Sequence, residues 1–312
     1  MKNFKKILAL ILIPVAFSCV KDPLEDIEEG NWNNERSIIN ITFDNQVGQA
    51  EVTRNDENSG TIIVAINVDA VPDLSAIRLK SLELSYRADA SLELGETLSF
   101  ENGDQSAGIS VTSPTGKTRE YTIYVTSFRE AILGTYNITD LVVFGGTGPE
   151  YGGGGVIPMT SKPWVWAETG GPQVELDNTV TFELEGITEE GNTYGKIINN
   201  AGEDGMYADF TFVGEPQTDV NHFYRKIPKE EGTWVHNYTT GNLIITFEDG
   251  STAKGVFIGA GTEDLGNGQS KTTTGNALVF NLNGTDDWDS IYSDYDKLVK
   301  RPRKYWIDLE KQ

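Results

Sequence analysis

The chain has 312 residues and carries 25 Lys and Arg against 47 Asp and Glu, a formal net charge of −22. Such a balance repels nucleic acid and anionic lipid, so no nucleic-acid partner is expected, while neutral polymers and cations stay open as ligands. Gly numbers 33, aromatics make up 10%, and Thr, Val and Ile recur in short runs between Gly, Asn and Asp clusters, the composition of an all-β protein.

The first predicted element is an export signal. Lys2, Lys5 and Lys6 form a basic start, residues 7–17 are apolar, and Ser18-Cys19 closes the run. The run has the layout of a secretory signal and is too short for a membrane span. An ordinary cleavage site would end in an Ala-x-Ala pattern, whereas Ala16-Phe17-Ser18-Cys19 sets a small residue beside the only cysteine in the sequence. An unpaired thiol is unusual in an exported protein, and lipidation accounts for it. The expectation is a lipoprotein signal over residues 1–18, cleaved before Cys19, with that cysteine lipidated. A plain signal with a stray cysteine is the alternative. Each buried methylene contributes about 0.8 kcal/mol, so several acyl chains anchor the protein to a membrane stably. Cleavage removes three lysines and no acids and takes the net charge from −22 to −25. Residues 19–33 then read as an acidic tether broken at Pro23. This start resembles the acidic export signal of bacteria that display glycan-handling lipoproteins on the outer membrane, facing the exterior. Val20 and Lys21 delay the acids relative to that pattern.

The mature part, about 290 residues, suggests two domains. The first is expected over residues 34–128. Ile62, Val64, Ile66 and Val68 fall on one face of a strand, residues 81–86 alternate, and Tyr121, Ile123 and Val125 form the inward face of another strand. Ser113-Pro114-Thr115-Gly116-Lys117 is a tight turn before that last strand. The segment from Ser113 to Thr126 resembles the closing hairpin of immunoglobulin-like domains of surface lipoproteins, which act as spacers. The resemblance implies an N-terminal immunoglobulin-like β-sandwich.

The second domain is expected over residues 131–312. Gly134-Thr135-Tyr136 opens it, and Thr233-Trp234 precedes a Gly241-to-Gly250 hairpin. This pairing resembles lipocalin-like β-barrels of secreted bacterial proteins, although a jelly-roll sandwich fits the strand spacing as well. The terminal strand puts Tyr305, Ile307 and Leu309 on one face and Trp306, Asp308 and Glu310 on a face expected to be wet. Five of the six Trp lie here: Trp164, Trp166, Trp234, Trp288 and Trp306. Aromatic rings stack on apolar sugar faces while neighbouring acids and amides hydrogen-bond the hydroxyls, so Trp-rich β domains are candidate glycan binders. Trp164 and Trp166 are expected to share a strand face, beside Glu168 and Asp177 and a mobile Gly152–Gly155 loop, with both packed in the core as the other reading. Trp288, between Asp286, Asp287 and Asp289, is expected in an exposed loop. Those acids offer oxygens of the kind calcium takes, though no EF-hand spacing is present, and a solvated acidic loop is the other reading. No other cofactor or metal is expected.

Catalysis has little support. His222 and His236 are the only histidines, and the glycine run lacks the Lys-Ser/Thr of a phosphate loop. A two-carboxylate glycosidase and a structural or adhesion protein remain as alternatives. The whole arrangement of lipidated cysteine, acidic tether, spacer and Trp-rich β domain resembles the surface glycan-binding lipoproteins of polysaccharide-utilisation systems. That resemblance implies polysaccharide or oligosaccharide as ligand and an outer-membrane importer complex as partner. Trp164, Trp166, Trp288, Glu168 and Asp177 are the candidate ligand-binding residues.

Overall fold

Alternation in the sequence becomes two β modules in the computed structural model, which describes residues 32–71 and 73–312. The signal and Cys19 lie outside the described residues. Strands β1 (Ile38–Phe43), β2 (Gln46–Arg54), β3 (Ser59–Asn67), β4 (Ile77–Leu84), β5 (Asp89–Ala90), β6 (Thr97–Leu98), β7 (Ser106–Thr112) and β8 (Thr118–Phe128) make two sheets, β1-β4-β6 and β2-β3-β8-β7-β5. β3 and β8 run parallel with Ile62 opposite Ile123 and Val64 opposite Val125, so two apolar rows lie side by side. They pack with Ile41, Phe43 and Leu79 of the other sheet into one buried core, the sandwich anticipated from the alternation. The turn before β8 closes with Ser113 N–H donating to the Lys117 carbonyl, and Gly116 takes the left-handed φ of 82° that the turn needs.

The second module continues with β9 (Gly134–Gly145), β10 (Gly155–Pro158), β11 (Thr179–Ile187), β12 (Thr193–Asn200), β13 (Thr211–Phe212), β14 (Thr218–Asp219), β15 (Glu230–Asn237), β16 (Asn242–Thr246), β17 (Thr252–Ile258), β18 (Gly261–Gly266), β19 (Gln269–Thr273), β20 (Asn276–Asn281) and β21 (Pro302–Lys311). Strands β9-β11-β12-β15-β16-β17-β20-β21 pair antiparallel in chain order, and β21 pairs back onto β9. The module is therefore a closed up-and-down barrel and not a jelly roll. β9 makes closure possible because it is long: one edge pairs with β11 along its first half and β10 along its second, and the other edge takes β21.

The barrel interior is a packed core and not a ligand cavity. Tyr136, Phe182, Ile197, Trp234, Ile245, Phe280, Tyr305 and Ile307 fill it, and Trp234 Nε1 donates to the carbonyls of Glu183 and Lys196. Trp166, Phe210, Phe212, Phe223 and Tyr224, from the long connections after β10 and β12, join the same core. Outside the barrel wall, the β18–β19 hairpin lies over a second apolar patch of Val142, Phe144, Val279 and Trp306. Trp306 is fully buried there, which corrects the expectation that its strand face is wet. The alternation of β21 is as anticipated, but an added hairpin covers the outward face. Among the described residues no helix is long and apolar enough to cross a membrane.

Candidate functional site

Gly145 at the end of β9 pairs with Pro302 at the start of β21, so two long loops leave the barrel at one rim. They are residues 146–154 and residues 282–301. Buried Asp296 ties them together. Its carboxylate accepts from Thr147 N and Thr147 Oγ1, each at 2.7 Å, and Thr147 Oγ1 accepts from Asp287 N at 2.7 Å. Asp286 bridges Arg301 and Arg303, and Arg303 Nε donates to the Gly146 carbonyl. Burial, and then the neighbouring Arg301, lower the Arg303 pKa, an effect that Asp286 opposes. The glycine run read as a mobile loop is instead pressed into this knot. A Cβ on Gly153 would sit 1.8 Å from the Thr147 carbonyl oxygen, so glycine is present for close backbone approach.

On this base stands a ledge of exposed aromatics. The rings of Tyr151 and Trp288 lie 6.1 Å apart and tilted by 56°. Gly148, at φ 56°, lies against both, and a Cβ there would come within 3.1 Å of each ring. Tyr292 holds a strained φ of 76°, and its hydroxyl donates to the Tyr151 carbonyl at 3.4 Å. Lys297 Nζ donates to the Tyr292 carbonyl at 2.8 Å. Trp164 joins through Lys162, whose ammonium lies 5.1 Å from the indole centroid and 3.2 Å from Asp294 Oδ1 on the second loop. Tyr151, Trp164, Tyr292 and Trp288 are 68%, 65%, 58% and 56% exposed. Exposed rings held by buried hydrogen bonds are preorganised to stack on a ligand face. Glu150, Asp287 and Asp289 stand beside them as hydrogen-bond acceptors.

The five candidate residues divide. Trp164 and Trp288 are on the ledge. Trp166 is not: residues Pro163–Val165 form a 3-10 turn and not a strand, and the next residue turns inward. Trp166 is 2% exposed, donates from Nε1 to the Met159 carbonyl, and packs edge-on against Phe212 and Tyr224. Glu168 is exposed and, with Trp164 and the buried Trp166, lines a cleft of about 500 Å³. Asp177 does not line that cleft. Its carboxylate accepts from the backbone N–H groups of Glu203 and Asp204 and pins the 202–204 turn. Tyr151 and Tyr292 also stand on the ledge and are not among those five residues, whose aromatic members are all Trp. Their signal was present, in a tyrosine abutting the glycine run and another beside the acidic loop.

No protein-family model matches the chain, and no curated protein matches it. Among solved structures, the chain is similar to a "putative secreted protein" of Bacteroides fragilis NCTC 9343, at 15% identity and a TM-score of 0.23. The match covers 31% of this chain and 98% of that one.

Proposed function

We propose that the chain is a non-catalytic, polysaccharide-binding lipoprotein, anchored through Cys19 and displayed on the outer surface of the cell. The observation that carries this reading is the ledge: exposed Tyr151, Trp288 and Tyr292 on loops tied by the buried Asp296–Thr147 hydrogen bonds, Trp164 linked to them through the Lys162–Asp294 ion pair, and carboxylates at the margin. Monomers rarely expose clustered apolar surface without a partner for it. Exposed rings on a barrel whose lumen is packed suit a long polymer lying across the surface better than a small molecule enclosed within it. The resemblance in chain layout adds the expectation of an importer complex as partner. Affinity electrophoresis against plant, algal and bacterial polysaccharides tests the reading: retardation by at least one neutral polymer is expected, and silence from folded protein across the panel refutes it. For the anchor, Cys19→Ser is expected to lose fatty-acid labelling and leave the membrane fraction. Labelling that persists in the variant refutes lipidation at Cys19.

A further inference from the structure

A groove of about 700 Å³ opens between the sandwich and the barrel, within the roughly 300–1,000 Å³ typical of ligand sites, which favour such domain boundaries. One wall is the β1–β2 turn with the adjoining β4, and the other is the β11–β12 hairpin tip with the β15–β16 turn. Its floor is rigid. Gly48 N–H donates to the Gly191 carbonyl at 2.9 Å, and a Cβ on Gly191 would lie 2.8 Å from Gly48 N, so the two backbones touch. Buried Gln46 is committed to this floor, accepting from Phe43 N and donating to the Gly48 carbonyl.

The groove's chemistry is nearly uniform. Asn40, Asn45 and Gln49 face it from the sandwich, and Asn237, Thr239 and Thr240 from the barrel. Its charged lining is three acids against one lysine: Asp44, which pairs with Arg78 at 2.7 Å, Glu189, Glu190 and Lys80. Amides and hydroxyls both donate and accept, which is the complement of a ligand whose own groups do both. The net acidic lining disfavours anions. The only aromatic ring in the lining, Phe43, is buried, so a ligand here is held by its edges and not by stacking.

We infer that the interdomain groove is a second binding site, separate from the aromatic ledge, for a short uncharged oligosaccharide. It shares with the ledge only the sugar chemistry. The test is calorimetry on the full chain with short neutral gluco-, xylo- and manno-oligosaccharides, and oligogalacturonate as the anionic comparison. At least one neutral series is expected to bind and the anionic one not. Asn40→Asp combined with Gln49→Glu keeps the shape, adds charge, and is expected to weaken binding about tenfold or more. Thr239→Trp, which fills the groove above its floor, is expected to do the same, with melting temperatures near that of the parent. Trp288→Ala is expected to leave this binding unchanged while reducing retention by polymer. Binding that survives both groove variants, binding lost only in Trp288→Ala, or no binding by any neutral series overturns the groove. Polymer retention that survives Trp288→Ala and Tyr151→Ala counts against the ledge alone.

Discussion

Two positions separate Trp164 from Trp166, and burial separates what each can do. Trp166 Nε1 is hydrogen-bonded inside the barrel's core, so Trp166→Ala both opens a cavity and leaves the Met159 carbonyl without its donor. Large-to-small changes of this kind cost about 3–5 kcal/mol, so early melting is expected. Trp288→Ala removes a ring that is more than half exposed, and its melting temperature should stay near that of the parent. Loss of an anchoring aromatic costs about 2 kcal/mol or more in binding, roughly thirtyfold in affinity. Thermal melts and polymer retention measured on both variants check the pair; a Trp288→Ala protein that unfolds would make that residue structural. A different residue-scale effect belongs to Asp140, which lies directly opposite Asp308 in the β9–β21 ladder. Burial, and then repulsion from Asp308, raise its carboxyl pKa, while the Leu141 N–H pulls the other way. A raised carboxyl means that the folded state holds the proton more tightly than the unfolded chain does. Its charge therefore costs stability at neutral pH, and the cost fades as pH falls into the usual carboxylate range. Asp140→Asn is expected to melt higher at neutral pH, with the gain shrinking on acidification. Equal melting temperatures at neutral pH would show that the carboxylate is fully compensated.

At the scale of elements, the ledge is as rigid as the Asp296 knot beneath it. Asp296→Ala strands two donors on Thr147, one of them a backbone N–H in a buried site, at a cost of about 1–3 kcal/mol. Because the same threonine accepts from Asp287 N, the loop carrying Trp288 should loosen with it. The expected outcome is a modest drop in melting temperature together with faster amide exchange across residues 285–292. Exchange that is unchanged there would show that the loop is held by the Asp286–arginine bridge instead. Regular elements were legible in the sequence wherever one strand face meets the core and the other meets solvent. β3 and β8 announce themselves that way, and β21 shows the same alternation, with Tyr305, Ile307 and Leu309 pointing inward. Legibility failed where an element is covered twice or is not regular. Trp306 sits on the polar-patterned face of β21, and nothing local to that strand says that a hairpin more than thirty residues earlier folds over it. Their spacing predicts that Trp164 and Trp166 share a strand face, but Pro163 starts a 3-10 turn that leaves Trp164 exposed and Trp166 buried. The glycine run carried the right residues with the wrong meaning, since glycine serves tight approach as readily as mobility.

At the scale of the whole molecule, a buried carboxylate in the linker joins the Gly48–Gly191 backbone contact in holding sandwich against barrel. Glu130 accepts from Thr193 Oγ1 at 2.5 Å, from the Tyr238 hydroxyl, and from His236 Nδ1 at 3.3 Å. Tyr238 in turn packs edge-on against Phe128, the last residue of β8, with centroids 5.3 Å apart. Its backbone N–H donates to Asn192 Oδ1, so the linker, the sandwich's last strand and the groove wall form one network. Burial alone would raise the Glu130 pKa, but the hydrogen bonds from His236, Thr193 and Tyr238 outweigh it and hold the carboxyl below its usual value. Burial, and then Glu130, push the Tyr238 phenol above its usual value, so it stays a donor. A depressed carboxyl contributes stability that is present above its unfolded value, near 4.5, and is lost as pH falls through the lower folded value. Glu130→Gln keeps the shape but puts an NH2 group where one carboxylate oxygen accepts two hydrogen bonds, either from Thr193 and Tyr238 or from His236 and the Ile132 N–H, at a cost of about 1–3 kcal/mol. The variant should melt lower at neutral pH and lose the part of the acid-induced fall that the parent owes to this group. Small-angle scattering at neutral pH should show a broader distribution of domain separations, because the clamp across the linker is the contact removed. Glu130→Gln with the parent's melting curve and scattering profile would place the domain clamp in the Gly48–Gly191 backbone contact instead, and the groove would then be held open from its floor alone.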